Sequence, residues 1–242
     1  MIDTLSKIFL NLEKNHQRED LMMAKKNGQY QPLSTAEFAR HVRNISSGLK
    51  ALGLNKGDKV VILSENRPEW VMVDVATVCS RGVAVPVYTN LTSDQIRYII
   101  NDSQARFLVC SNLKLWQKVA SIRPELPLIE KYILMEGAMP GEVMSLKEVE
   151  ERGEEYILNH PDDFDRLAES IQPDDLATII YTSGTTGVPK GAMLSHYNLV
   201  NNIETLHSLV DFNGGDRALS FLPLSHVLER MCTYAWLYVG AC

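Results

Sequence analysis

The chain reads as an α/β protein, and three features carry that reading. Apolar runs of strand length stand at residues 59–64, 83–88 and 105–110, amphipathic stretches of helical period lie between them, and the spacings suit parallel β-α-β crossovers. At 242 residues, 45% hydrophobic and 22% charged, the composition is that of a globular chain with one large domain or two small ones. A formal net charge of -6 argues against a nucleic-acid surface, which is normally basic. The four cysteines, at 79, 110, 232 and 242, form no CxxC pair and have no companion His spacing, so neither zinc nor a disulfide framework is expected. The start at Met1 lacks a basic region followed by an apolar core, so no signal peptide is expected, and a reducing cytoplasm is the default location. No apolar run approaches the roughly 20 residues of a membrane helix.

Ser34 with Glu37 three residues on has the spacing of a capping box. Phe38, Val42, Ile45, Leu49 and Leu52 then recur in steps of four and three on one face, with Arg40, His41, Arg43 and Lys50 off it. Gly53 closes that helix, and residues 55–58 turn into the strand at 59–64. Pro68 suits the first turn of a second helix, which carries Trp70, Val71, Val73, Val75 and Val78 toward the strand at 83–88. The alternation continues with a helix at 93–101, a strand at 105–110, a helix at 113–121 and a strand at 132–135. Residues 145–165 are acidic and helical, with Ser145 and Glu148 as another capping box, and read as a solvated face bridging two halves. A breaker at 172–175 precedes a buried strand at 176–181, residues 192–194 read as a short strand, and Ser195 caps a helix to about Val210. Residues 217–222 read as a strand, followed by a helix from about Pro223 that is expected to be still running at Cys242.

The chemistry concentrates in residues 181–191, Tyr-Thr-Ser-Gly-Thr-Thr-Gly-Val-Pro-Lys-Gly, hung from the end of the strand at 176–181. Glycines let backbone amides approach an anion closely, hydroxyls add donors, and Lys190 adds positive charge, so the loop is suited to phosphate. It is not a Walker A loop, because Gly184 and Gly187 are three apart and no Gly-Lys-Ser/Thr ending follows. Tyr181 reads as support for the loop, and Glu229 with Arg230 as a structural ion pair or helix-start charges. His41, His160 and His207 read as surface or packing residues, His196 as helix-entry structure near the loop, and Trp236 and Tyr238 as core, with an acyl tunnel as the functional alternative.

The loop closely resembles the signature of the adenylate-forming superfamily, which includes acyl-CoA synthetases, peptide-synthetase adenylation domains and luciferases. Residues 33–38, 57–60, 66–70 and 81–87 resemble that family's N-terminal pattern in order, so the resemblance spans nearly the whole chain. The run Phe-Leu-Pro-Leu-Ser-His-Val-Leu-Glu-Arg at 221–230 looks most like the matching motif of long-chain fatty acyl-CoA synthetases.

The resemblance implies the N-terminal portion of the acyl-CoA synthetase-like fold. Residues 1–170 would form a first α/β subdomain, residues 171–242 would start a second, truncated one carrying the phosphate loop, and the C-terminal domain would be absent. The implied activity is AMP-forming ligation. A carboxylate attacks the α-phosphate of ATP to give an acyl adenylate and pyrophosphate, and the thiol of CoA then displaces AMP. Thr182, Ser183, Gly184, Thr185, Thr186, Gly187 and Lys190 would hold the ATP phosphates, Thr185 would lie near Mg²⁺, and His226 would position the carboxylate and adenylate. The implied partners are a fatty acid or other carboxylate, ATP and CoA, with peripheral membrane association to reach a lipid substrate. Loading of a carrier protein instead of CoA, or a nucleotide-binding module without catalysis, are the competing readings. The family's later Thr-Glu metal motif, ribose-binding aspartate, hinge and C-terminal lysine have no counterpart in these residues, so the expectation is a fragment that does not complete the reaction alone.

Overall fold

The computed structural model describes residues 2–137, 139, 141–183 and 189–242. Its N-terminus forms α1 (Leu5–Asn15), capped by Thr4, and a hairpin of β1 (Met22–Lys26) and β2 (Gln29–Leu33). The sequence reading assigned none of these. Asn27 and Gly28 turn the hairpin with φ of +51° and +83°, the left-handed pair that an Asn-Gly turn supplies at little cost. Next come α2 (Thr35–Ala51), β3 (Lys59–Leu63), α3 (Pro68–Cys79), β4 (Val83–Val87), α4 (Ser93–Ser103), β5 (Phe107–Cys110), α5 (Leu113–Ala120) and β6 (Lys131–Leu134). All were expected within a few residues. The capping box at α2 is present, with Glu37 N donating to Ser34 Oγ at 3.2 Å and Ser34 N to Glu37 Oε2 at 2.9 Å.

The remainder is β7 (Met144–Ser145), α6 (Leu146–Asn159), α7 (Asp163–Glu169), β8 (Leu176–Ser183), β9 (Pro189–Ser195), α8 (His196–Leu209) and α9 (Val227–Val239). A seven-stranded sheet runs β7-β6-β5-β3-β4-β8-β9, parallel throughout except for the antiparallel pair β8-β9. Side chains alternate across it, as a pleat requires. Val60 and Ile62 join a core with α1–α3 and α6–α9, whereas Val61 and Leu63 join a second with α4 and α5. This sheet covered by helices on both faces is the α/β fold expected. The division placed at residue 170 marks no break in the sheet: β8 lies beside β4, where Thr178 Oγ1 donates to Ala84 O at 2.7 Å. No helix among the described residues is long and apolar enough to cross a membrane.

Three expectations are corrected. Residues 145–165 are not a solvated bridge, because α6 lies directly on α2 through two glycines. A Cβ at Gly48 would meet Val149 O at 2.0 Å, and one at Gly153 would meet Asn44 O at 1.8 Å, so neither helix could carry a side chain there at this separation. Residues 217–222 form no strand. Only one rung is made, Ala218 N to Cys242 O at 2.8 Å and Cys242 N to Asp216 O at 3.1 Å, and Leu219 and Phe221 stay 72% and 74% exposed. Finally, α9 ends within the chain. Gly240 turns left-handed at φ +70°, Ala241 N returns to Trp236 O at 2.9 Å, and a Cβ at Gly240 would meet His16 Cβ at 2.5 Å.

Candidate active site

The stem of the loop is the hairpin β8-β9, longer than the short strand at 192–194 expected after it. Tyr181 faces Gly191 across the hairpin, and a Cβ on Gly191 would come within 2.7 Å of Ile179 Cγ2 and 3.1 Å of Tyr181 Cζ. The ring therefore lies over a position that only glycine leaves open. Its hydroxyl donates to Asp102 Oδ2 on α4 at 2.6 Å, which ties the stem to the helix layer. Burial, then the Asp102 hydrogen bond and charge, push the phenol well above its ordinary value, so it stays protonated and supports the loop, as expected.

One residue further on, Thr182 pairs with Lys190 and Ser183 with Pro189. Thr182 and Lys190 are thus cross-strand neighbours on one face, both exposed. Among the described residues no carboxylate makes an ion pair with Lys190, so its charge is available to an anion. Gly184, Thr185, Thr186 and Gly187 lie outside the described residues, and with them the expected Mg²⁺ contact. Among the described residues no group of three or more His, Cys, Asp or Glu could hold a metal ion. The hydroxyl and ammonium at the head of the stem fit phosphate oxygens, the group for which the loop's composition is suited.

His226 is the N-cap of α9, with φ -88° and ψ 137°. Its Nδ1 accepts from Leu228 N at 3.2 Å, so in the neutral ring the proton sits on Nε2. An exposed Nε2–H donor at the positive end of a helix suits an anionic partner. One turn on, Arg230 pairs with Asp74 of α3 rather than with its neighbour Glu229. The guanidinium donates through Nε at 2.9 Å and Nη2 at 2.7 Å, and both side chains are 1% exposed. Asp74 went unremarked in the sequence, although one carboxylate among Val71, Val73, Val75 and Val78 was a visible signal.

The other histidines are structural. His41 Nδ1 lies 2.7 Å from Glu150 Oε2, and His160 packs against Tyr156 with the rings tilted by 41°. His207 packs against Phe212 and Tyr238, and Trp236 packs on Phe212, which makes Trp236 and Tyr238 packing residues here. His196 is buried and accepts from Leu5 N through Nδ1 at 3.2 Å. Burial chiefly, opposed by Asp175 and aided by Arg230, lowers its pKa from 6.5 to about 4. The folded ring stays neutral where an unfolded histidine has taken a proton. Its contribution to stability is therefore complete above pH 6.5 and falls as pH drops toward 4, by about 3 kcal/mol over that window. His196→Asn should flatten this part of the pH profile in urea titrations between pH 7 and 4.5. Equal slopes in the two proteins would contradict the assignment.

The family described as AMP-binding enzyme matches residues 11–242. Fatty acyl-CoA synthetase A of Dictyostelium discoideum is 34% identical over 229 residues, which cover 91% of this chain and 33% of that protein. The chain thus spans about a third of the length of the curated relatives it matches. In fold it is similar to a long-chain-fatty-acid-CoA ligase (FadD1) from Archaeoglobus fulgidus, with a TM-score of 0.78 at 24% identity over 98% of this chain and 46% of that one. It is also similar to ATP-bound MatB from Rhodopseudomonas palustris, with a TM-score of 0.69 at 26% identity over 98% of this chain and 44% of that one. With the match to the family spanning nearly the whole chain and the loop stem built as described, the chain belongs to the AMP-binding enzyme family.

Proposed function

We propose that the whole protein to which this chain contributes is an AMP-forming long-chain fatty acid-CoA ligase, and that the chain alone does not complete the reaction. The observation that supports the reading is the stem of the loop, where Thr182 and Lys190, which has no ion-pair partner among the described residues, stand side by side. Kinship with a fatty acyl-CoA synthetase at 34% identity supports the fatty-acid substrate. Residues 1–170 are proposed as a first α/β subdomain and residues 171–242, which supply the loop hairpin and the turn bearing His226, as the start of a second.

In this reading the fatty carboxylate attacks the α-phosphate of ATP and the bond to the β-phosphate breaks, leaving an acyl adenylate and pyrophosphate. The thiol of CoA then attacks the acyl carbon and AMP departs. Two anions must meet in line in the first step, so the protein's work is positioning and cancellation of charge. Thr182, Ser183, Gly184, Thr185, Thr186, Gly187 and Lys190 hold the phosphates, and Lys190 offsets their charge. Mg²⁺ would supply further neutralisation, with Thr185 as its proposed contact. His226 donates from Nε2 to the carboxylate or adenylate. It need not act as a base, because a carboxylate is already ionised at neutral pH. We place the enzyme in the cytoplasm, with peripheral contact to membranes where its substrate resides.

The test is release of pyrophosphate by the whole protein with ATP, Mg²⁺ and CoA, with and without palmitate. Release that depends on palmitate and yields palmitoyl-CoA is expected. Release indifferent to fatty acid would sink the reading, and acyl transfer only to a pantetheine-bearing carrier protein would replace CoA as acceptor.

A further inference from the structure

We infer that Asn66 is a positioning residue for His226, holding the backbone that presents the imidazole. The inference deepens the role proposed for His226 and rests on that reading. Asn66 lies in the loop between β3 and α3. Its Nδ2 donates to Leu222 O at 2.7 Å and to Ser220 Oγ at 3.1 Å, while its Oδ1 accepts from Leu224 N at 2.9 Å. The side-chain amide pairs with the backbone of Leu222 and Leu224 as a neighbouring strand would, donor to acceptor and acceptor to donor.

The segment it holds has little else to hold it. Leu219 and Phe221 are 72% and 74% exposed, so burial does not fix residues 219–223. Among the described residues, the backbone of 219–225 makes one other hydrogen bond, the local turn from His226 N to Pro223 O at 2.8 Å. The clamp ends two residues before His226, where Leu224 and Ser225 turn inward and are buried. It therefore sets the direction in which the chain arrives at α9.

That direction decides what the imidazole can do. Nδ1 reaches Leu228 N only while His226 keeps its extended cap conformation, and that contact leaves the proton on Nε2. Downstream, Asp74 fixes Arg230 one turn into the same helix. Asn66 and Asp74 both belong to the β3–α3 unit, so one rigid element secures the His226 turn at each end. Loss of the Asn66 clamp should free the upstream end while Asp74 keeps α9 docked.

The test reads the ring directly in the 242-residue chain, by long-range proton–nitrogen correlation of its histidines at pH 7.5. The native chain should show His226 mainly as the Nε2–H tautomer. In Asn66→Ala the ratio of Nε2–H to Nδ1–H should fall by about fivefold, the factor expected when a net hydrogen bond of ordinary strength is removed. Asn66→Asp keeps the acceptor for Leu224 N and loses the donor to Leu222 O, so it should shift the ratio in the same direction and carries the test if the alanine variant fails to fold. A lowered melting temperature with an unchanged His226 ring in the folded variant would overturn the inference, since Asn66 would then only stabilise its loop. Failure of the underlying reading is seen separately: unimpaired fatty-acid activation by His226→Ala in the whole ligase would remove the role of His226, whatever Asn66 does to the ring.

Discussion

Arg230→Ala is expected to destabilise the chain by about 3–5 kcal/mol, the usual cost of leaving one half of a buried ion pair without its partner. Both members are 1% exposed, and the bidentate contact between them is the strong form of such a pair. Removing the guanidinium would strand Asp74 in the core of α3, among residues that offer it no replacement charge. Among the described residues Arg230 Nη1 and the Tyr234 hydroxyl make no hydrogen bond, so the buried cluster is already short of partners. Asp74→Ala should cost a similar amount by stranding Arg230. The double variant Asp74→Leu with Arg230→Met should recover most of the loss, since an apolar pair of similar volume avoids the desolvation that the ion pair bears. Urea titrations that share one m-value would give the four stabilities. A loss below about 1 kcal/mol in both single variants would place water at the pair and contradict its burial.

This pair marks a limit of what the amino-acid order conveys. Local patterns were legible: Ser34 with Glu37 and Ser145 with Glu148 are capping boxes in the structure, and α2 buries Phe38, Val42, Ile45 and Leu49 of the stripe read from its periodicity, with Leu52 half-buried at its C-cap. Two further signals were present and unused. Leu5, Ile8, Phe9 and Leu12 have helical spacing behind Thr4, and Asn27-Gly28 is a hairpin turn. Contacts between distant segments were not legible by any periodicity. Asp74 with Arg230, Asn66 with Leu222 and Leu224, and Tyr181 with Asp102 all depend on which strands become neighbours. The opposite error occurred at residues 217–222, which read as a strand but whose backbone makes one rung, with Cys242. Of the proposed site, the loop, Lys190 and His226 were read from the sequence; the supports Asp102, Asn66 and Asp74 needed the fold.

If the whole protein is the proposed ligase, Lys190→Ala is expected to slow its palmitate-dependent exchange of pyrophosphate into ATP by about 10²–10³-fold, roughly 2.7–4 kcal/mol by analogy with loss of a preorganised oxyanion donor. The argument starts from what the side chain does not do. It is exposed at the second position of β9, after Pro189, and among the described residues it has no ion-pair partner. Its removal should therefore change stability by no more than about 0.5 kcal/mol, as for surface substitutions generally. A large rate loss with an unchanged melting temperature would then report on the reaction and not on folding. In the proposed role the charge faces phosphates present in both ground and transition states, so KM for ATP should rise as well as kcat fall. KM for palmitate should move little, since the carboxylate is assigned to His226. Thr182→Ala, which removes a neutral donor beside Lys190, should act in the same direction with a smaller rise in KM for ATP. Exchange within about threefold of the native rate in Lys190→Ala would remove this lysine from the phosphate site, because a threefold change is worth less than 1 kcal/mol.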